Sequence, residues 1–392
     1  MMFLSELTNN LKGKFNLDNS VYAVSDRVNC FTFEFSSDFS FRYSDEDKRL
    51  KICMADEDEL DDGEIENKTF RYAVFAPSNV QNFGHAIILL HGLNERKWEK
   101  YLPWAHHLVM QTGKPVILFP IAYHMNRSPK TWTSPRLMSK FASFRKNMIP
   151  SLEDSSFANV AISFRMDNFP EFFSIYGIQT YFDVIKLASQ IKEGVFDLFD
   201  KNCKINFFAY SIGALLTETL LMSNPKQLFS TSKAFFFCGG STFDRINGVS
   251  RSIMDSQAFN QLQSYVTKQP PLSKEKIEVP EQQHFLLPEG WKAFMAMSNF
   301  KGKLAAYRNK ALKRLRKRIN AIGLKDDSVI PGTAIRETLS GVRKKRRANV
   351  DIIDFPFQYS HEMPFPVNNS KIEEIVSHAF HSVFRKAAMF LS

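Results

Sequence analysis

The chain has 392 residues, 44% of them hydrophobic and 23% charged, with a formal net charge of +10. That balance excludes a disordered or fibrous polypeptide and suits one large globular domain or two smaller ones. Four cysteines (Cys30, Cys53, Cys203, Cys238) lie far apart without metal-ligand spacing, which excludes a disulfide framework and favours a reducing compartment. No secretory signal opens the sequence and no stretch reaches the roughly 18 apolar residues that span a bilayer, so a cytoplasmic protein without a transmembrane segment is expected.

The charge is unevenly placed: an acidic run occupies 45–66, whereas basic residues gather in Lys301–Arg318 and Arg343–Arg347. Such basic blocks can meet nucleic acid, but these lack interleaved aromatics or a recognised motif. A solvated helix face and a surface loop are expected, with no nucleic-acid partner.

In chain order, Phe31, Phe33 and Phe35 alternate with Thr32 and Glu34, the period of a half-buried strand, and Thr69–Phe75 reads as another. With the acidic loop, residues 1–67 form an N-terminal unit ahead of a main domain over 68–392. His85–Leu90 is apolar throughout, as a central parallel strand would be. A helix follows with Trp98, Leu102, Ala105 and Val109 on one face and Gly113 at its end, then a strand over Lys114–Pro120. Strand–helix–strand spacing of this length is a βαβ unit with a right-handed crossover.

Between His124 and Phe169 no period of two or 3.6 emerges, which predicts a long irregular functional loop or lid over about 124–170. Further apolar strands are read at Ile205–Phe208, Ala234–Cys238, Ile319–Ile322 and Val350–Ile353, with a second insertion over about 240–300. Six βα units from residue 85 onward predict an α/β fold with a doubly wound, mostly parallel sheet, extended by N-terminal antiparallel strands.

The stretch Lys204-Ile-Asn-Phe-Phe-Ala-Tyr-Ser-Ile-Gly-Ala-Leu-Leu places Ser211 between a buried strand and a buried helix. Small residues, Ala209 and Gly213, stand two places to either side, because so tight a turn leaves no room for larger ones. A serine hydroxyl needs a base to take its proton and a third group to hold the base. In an open parallel sheet these must come from loops at the carboxyl ends of strands. For the acid, Asp327 follows the strand at 319–322, with Asp326 and Asp244 as topological alternatives and a simple turn-forming role as the plainer reading. For the base, His361 lies beyond the last strand, whereas His106, His107, His378 and His381 fall within helices.

The order Ser211, Asp327, His361, together with His91-Gly92 after a core strand and the Ala-Tyr-Ser-Ile-Gly turn, resembles the α/β-hydrolase superfamily over about residues 68–392. Leu89-Leu-His-Gly-Leu-Asn-Glu-Arg96 and Phe119-Pro-Ile-Ala-Tyr-His-Met-Asn-Arg127 suggest a bacterial branch of it. The resemblance implies an α/β-hydrolase fold with lid insertions and an esterase- or lipase-like serine hydrolase. Ser211 would be the nucleophile, His361 the base and Asp327 its orienting acid. The N–H of Ile212 and that of Leu93 or Asn94 would form the oxyanion hole. His91 would be structural. No cofactor or metal is implied. One departure is Ala209 where the family carries glycine, a position a methyl group still fits.

The substrate expected is a small acyl compound, with His124, Arg127 and Tyr210 as candidate contacts. Trp132, Phe141, Phe144 and Phe157 in the first insertion suit either an apolar pocket or the insertion's own small core, while Arg127 and Arg136 suit a carboxylate or phosphate. A reading of a different class, a non-catalytic scaffold that binds a ligand, fits the same fold. A complete Ser, Asp and His set weighs against it.

Overall fold

The computed structural model describes residues 2–41, 64–271, 277–341 and 348–392. Most of the acidic run, from Asp45 to Asp62, and the basic cluster Arg343–Arg347 lie outside the described residues. The chain opens with helix α1 (Leu4–Lys14), then strands β1 (Val21–Ser25), β2 (Val28–Ser36) and β3 (Ser40–Phe41), the short helix α2 (Glu64–Lys68), and β4 (Thr69–Pro77). Next come β5 (Phe83–Leu90), α3 (Leu102–Thr112), β6 (Val116–Leu118), α4 (Pro135–Met148), α5 (Val160–Asn168) and α6 (Glu171–Glu193). The second half runs β7 (Phe199–Tyr210), α7 (Ile212–Ser223), β8 (Ala234–Phe237), α8 (Ser256–Thr267), β9 (Ile277–Glu278), α9 (Leu286–Ala296) and α10 (Ala305–Leu315). It ends with β10 (Ile319–Leu324), α11 (Gly332–Ser340), β11 (Asn349–Ile353) and α12 (Glu373–Leu391).

Nine of the described strands form one sheet in the order β1-β2-β4-β6-β5-β7-β8-β10-β11. The six strands from β5 onward pair in parallel, while β1, β2 and β4 pair antiparallel, and β4 joins β6 antiparallel. This strand order and mixture of directions is the α/β-hydrolase fold. The parallel strands are apolar on both faces because helices cover both. Alternate residues of β7 divide accordingly: Phe207 and Ala209 join the core beneath α6 and α7, and Phe208 and Tyr210 join the core beneath α3 and α12. From β5 the chain passes to β6 on one side and returns to β7 on the other. The loops after β5 and β7 therefore diverge from neighbouring strand ends and leave a crevice between them.

The first insertion differs from its expected irregularity, for it carries α4 and α5. Met138, Phe141, Ala142 and Arg145 form the buried stripe of α4, a helical spacing whose last member is charged and so escapes an apolar count. The Arg145 guanidinium pairs in bidentate fashion with Asp255 at the start of α8 (2.6 and 2.9 Å), and donates to Asp167 on α5 at 2.9 Å. The two insertions are thus clamped to each other. The basic helix α10 departs from the solvated expectation at Arg308, which is fully buried and donates to the carbonyls of Ala296, Asn299 and Phe300 beyond α9. No helix among the described residues is long and apolar enough to cross a membrane.

Helix α7 begins so close to β5 that a Cβ on Gly213 would stand 2.6 Å from the Leu90 carbonyl oxygen and 2.9 Å from that of His91. Backbone atoms are the obstacle, so the neighbour has no rotamer to escape into. Gly213→Ala is expected to lower stability by about 1–3 kcal/mol, read as a reduced urea midpoint with an unchanged m-value; an unchanged midpoint would refute this packing.

The same helix carries Glu218, fully buried, with neither carboxylate oxygen hydrogen-bonded among the described residues. Burial pushes its carboxyl well above the ordinary range, against the pull of Arg308. The unfolded chain releases this proton near the usual glutamate value, whereas the folded chain retains it. The site's contribution to stability is therefore greatest at low pH and declines as pH rises towards the folded value. Glu218→Met is expected to stabilise the protein at pH 7.5 by about 1–3 kcal/mol, and Glu218→Gln to flatten this part of the pH dependence. Urea titrations at two pH values check both; a less stable Glu218→Met would mean that attraction to Arg308 outweighs burial.

Candidate active site

Ser211 sits at the turn between β7 and α7 with φ 55° and ψ −123°, a conformation that a residue with a side chain adopts only under constraint. The constraints are visible. Its N–H donates to the Phe237 carbonyl at 3.2 Å, and its own carbonyl accepts from Ala214 at 3.0 Å. A Cβ on Gly239, just past β8, would come within 2.6 Å of that same carbonyl. The turn is wedged between the ends of β5 and β8, which aims the hydroxyl into the crevice.

His361 lies on the segment between β11 and α12, and its Nε2 is 2.8 Å from Ser211 Oγ. Its Nδ1 is 2.8 Å from Asp327 Oδ2. Asp327 follows β10, and its Oδ1 accepts the N–H groups of Val329 and Ile330, each at 2.9 Å. A carboxylate only accepts, so the imidazole proton resides on Nδ1 and Nε2 is left to accept from the serine. All three side chains are buried, with Ser211 7% exposed, Asp327 4% and His361 3%. Behind Asp327, burial and the neighbouring carboxylate push the Cys238 thiol well up, so it stays protonated.

The other acids considered are placed elsewhere. The N–H of Asp326 donates to the Tyr359 hydroxyl at the surface, and Asp244 accepts from the Phe300 N–H at 2.9 Å.

The loop after β5 supplies the facing wall. His91 is a structural strut: Nδ1 donates to the Gly92 carbonyl at 2.8 Å and Nε2 accepts from the Ile121 N–H at 3.0 Å. Burial and the nearby His124 hold it neutral. The Gly92 N–H is consumed by the Tyr101 hydroxyl at 3.0 Å, which donates onward to Glu95 at 2.9 Å. Among the described residues, the N–H groups of Leu93 and Ile212 donate to no other group. Asn94 turns the loop with φ 59°, and its amide donates to the carbonyls of Ala158 and Ser252, one in each insertion, at 2.8 and 2.7 Å.

Leu93 and Ile212 both line a cavity of about 40 Å³, closed by Ile121, His124, Phe173, Leu215 and, from the insertions, Ile162, Met166 and Phe294. The apolar residues among these are the site members that sequence reasoning missed. On amphipathic helices they carry the same signal as ordinary core residues, and only the folded chain separates the two.

Of the expected substrate contacts, His124 alone lines this cavity. Arg127 is fully buried away from it. The guanidinium donates to Asp183 at 2.9 Å and to the carbonyls of Pro120 and Asn67, so it is a structural ion pair rather than an anion receptor. Tyr210 alternates onto the opposite face of β7, where its ring packs on Trp104 and Phe237. Its hydroxyl donates to the His361 carbonyl and its ring stacks on the imidazole, so it supports the histidine rather than lining the cavity. Arg136 is on the surface and Phe157 is 54% exposed, while Trp132 and Phe141 are buried in the main core and Phe144 packs against it, half-buried. No cluster of potential metal-binding side chains occurs among the described residues.

A comparison with curated protein sequences finds no match. Solved structures similar to this chain include an esterase from Pseudomonas putida (10% identity, 98% of this chain and 88% of that one, TM-score 0.44). Another is carboxyl esterase 2 from Tuber melanosporum (11%, 98% and 97%, TM-score 0.47). A third is the peroxisomal α/β-hydrolase Lpx1 from Saccharomyces cerevisiae (14%, 91% and 90%, TM-score 0.39). At these identities and scores the matches bear on no point of chemistry, and the fold rests on the strand order given above. Residues 18–392 match the model of DUF6051, a family of unknown function, and the chain belongs to that family.

Proposed function

We propose that the protein is a serine hydrolase that cleaves a small ester, thioester or amide through a covalent acyl-enzyme. The observation that carries this reading is the unbroken relay from Ser211 Oγ to His361 Nε2 and from His361 Nδ1 to Asp327, both steps 2.8 Å long. In the first half-reaction the Ser211 oxygen attacks the substrate carbonyl carbon while its proton passes to His361 Nε2. The carbonyl electron pair moves onto oxygen. The N–H groups of Ile212 and Leu93 receive that charge, helped by the positive end of α7. Collapse breaks the bond to the leaving group, which departs with the proton from Nε2. Water then repeats the sequence on the acyl-enzyme and restores the hydroxyl. Asp327 keeps the proton on Nδ1 and stabilises the imidazolium formed in passing.

The two insertions act in this reading as the lid over the acyl site. A cavity of about 40 Å³ has room for about three water-sized groups, which favours short acyl chains.

A fluorophosphonate probe should label the wild type and fail on Ser211→Ala and His361→Ala. Turnover of p-nitrophenyl acetate should fall by about 10⁴–10⁶-fold in those two variants and by about 10⁴-fold in Asp327→Asn. Equal labelling of Ser211→Ala and the wild type would remove Ser211 from the mechanism. A folded wild type that neither labels nor turns over would point to a ligand-binding scaffold instead.

A further inference from the structure

His124 lines a mostly apolar cavity and carries one ring nitrogen left unpaired among the described residues. It is 4% exposed, and its Nδ1 lies 2.8 Å from the Ala122 carbonyl oxygen. A carbonyl only accepts, so Nδ1 carries the ring proton and Nε2 carries a lone pair. That nitrogen has no hydrogen-bond partner among the described residues. The ring lines the cavity that Leu93 and Ile212 also line; the other walls are apolar side chains, Gly177 and Tyr176, whose hydroxyl accepts from Arg165 at 2.8 Å. Its nearest ring neighbour, His91, has both nitrogens engaged and offers it nothing.

A buried acceptor left unpaired is costly, and native structures seldom carry one without a use. Protonation would relieve it, but burial and the nearby Arg96 and Arg127 hold the imidazole neutral, with its pKa down at about 3. The lone pair thus persists across the physiological range, waiting for a donor.

Resting on the serine-hydrolase reading above, we propose that the acyl group accepted by this cavity carries its own hydrogen-bond donor, a hydroxyl on a short chain, which His124 Nε2 receives. His124 is then a specificity residue that distinguishes a hydroxyacyl from a plain acyl group of the same size. A site that holds a polar partner discriminates strongly against an analogue lacking it, since the protein's own buried group is then stranded. A purely apolar pocket would prefer the alkyl chain.

Methyl 3-hydroxypropanoate and methyl butanoate are matched in length, with a terminal hydroxyl in one where the other has a methyl. Wild-type kcat/KM, followed by proton release, should favour the hydroxylated ester by about tenfold or more. The ratio should fall below one in His124→Leu and be restored in part by His124→Gln, whose amide oxygen again offers an acceptor. Dissociation constants for both esters on Ser211→Ala, by calorimetry, should show the same preference without chemistry. Ser211-dependent turnover of both esters at equal rates would overturn the hydroxyacyl inference and leave the hydrolase reading standing. Absence of turnover, with the hydroxylated ester still bound tenfold more tightly by Ser211→Ala, would overturn the hydrolase reading and uphold His124 as the recognition group. Equal binding of the two esters, or of neither, would overturn the inference.

Discussion

The structure depends on the approach of one helix end to two strand ends. Helix α7 starts beneath the carbonyls of Leu90 and His91, closer than any side chain at Gly213 allows, while Gly239 lets the end of β8 close on Ser211 from the other side. Between them Ser211 is held in a conformation that on its own costs about 1–3 kcal/mol. The strain is local, and the apolar β5, β7 and β8 that impose it are among the most deeply buried parts of the chain. Because backbone packing and the hydrogen bonds of the Ser211 N–H and carbonyl fix the turn, the hydroxyl stays in place without any of its polar capacity being spent on structure. It remains available to His361.

Around that turn, most polar groups are already satisfied by one another. Gly92 N–H is bound by Tyr101, His91 by Gly92 and Ile121, Asp327 by two backbone amides and His361, and the His361 carbonyl by Tyr210. Tyr101 and Lys100 both bind Glu95, and Lys100 also donates to the carbonyl of Glu362, which joins the loop after β5 to the loop that carries His361. Among the described residues, the groups left unpaired here include the N–H groups of Leu93, Asn94 and Ile212, the lone pair of His124, and Nε and Nη1 of Arg96. Two of those amides and the imidazole border one cavity.

Much of the frame was legible in the sequence because parallel strands covered on both faces read as uninterrupted apolar runs, as in Ala86–Leu90 and Ala234–Phe237. Topology, which puts every loop able to reach Ser211 at a strand's carboxyl end, narrowed the base to His361 and the acid to Asp327, Asp326 or Asp244, and only the folded chain sets Asp327 beside His361. Tyr210 was misjudged although the signal existed. Along a strand side chains alternate, so Tyr210 shares a face with Phe208 and points away from the cavity side of β7. Arg127 carried no such signal. Its fate depends on Asp183, 56 residues further on, and sequence separation conceals that encounter. The insertions were illegible for a related reason. Their buried faces include Arg145, Ser163 and Arg165, whose charge or polarity interrupts the apolar period on which a helix is recognised.

Those same buried charges bear on how the cavity opens. Replacing the Arg145–Asp255 pair by apolar side chains of equal volume would hold α4 and α8 together at least as firmly, but it would not fix direction. A bidentate guanidinium–carboxylate pair has one favourable geometry, and this one sets the first insertion against the second. Asn94 then fastens both insertions to the loop that carries Leu93. Parting the insertions would break this pair and strand a buried charge, so the two are coupled, and moving them together pulls on Asn94. Both insertions are in this way tied to the loop that carries the Leu93 N–H. In the serine-hydrolase reading proposed above, a ligand small enough to enter without parting the insertions meets the amides of Leu93 and Ile212 already in position, and the clamp would select for size at the cavity where His124 is proposed to select for polarity.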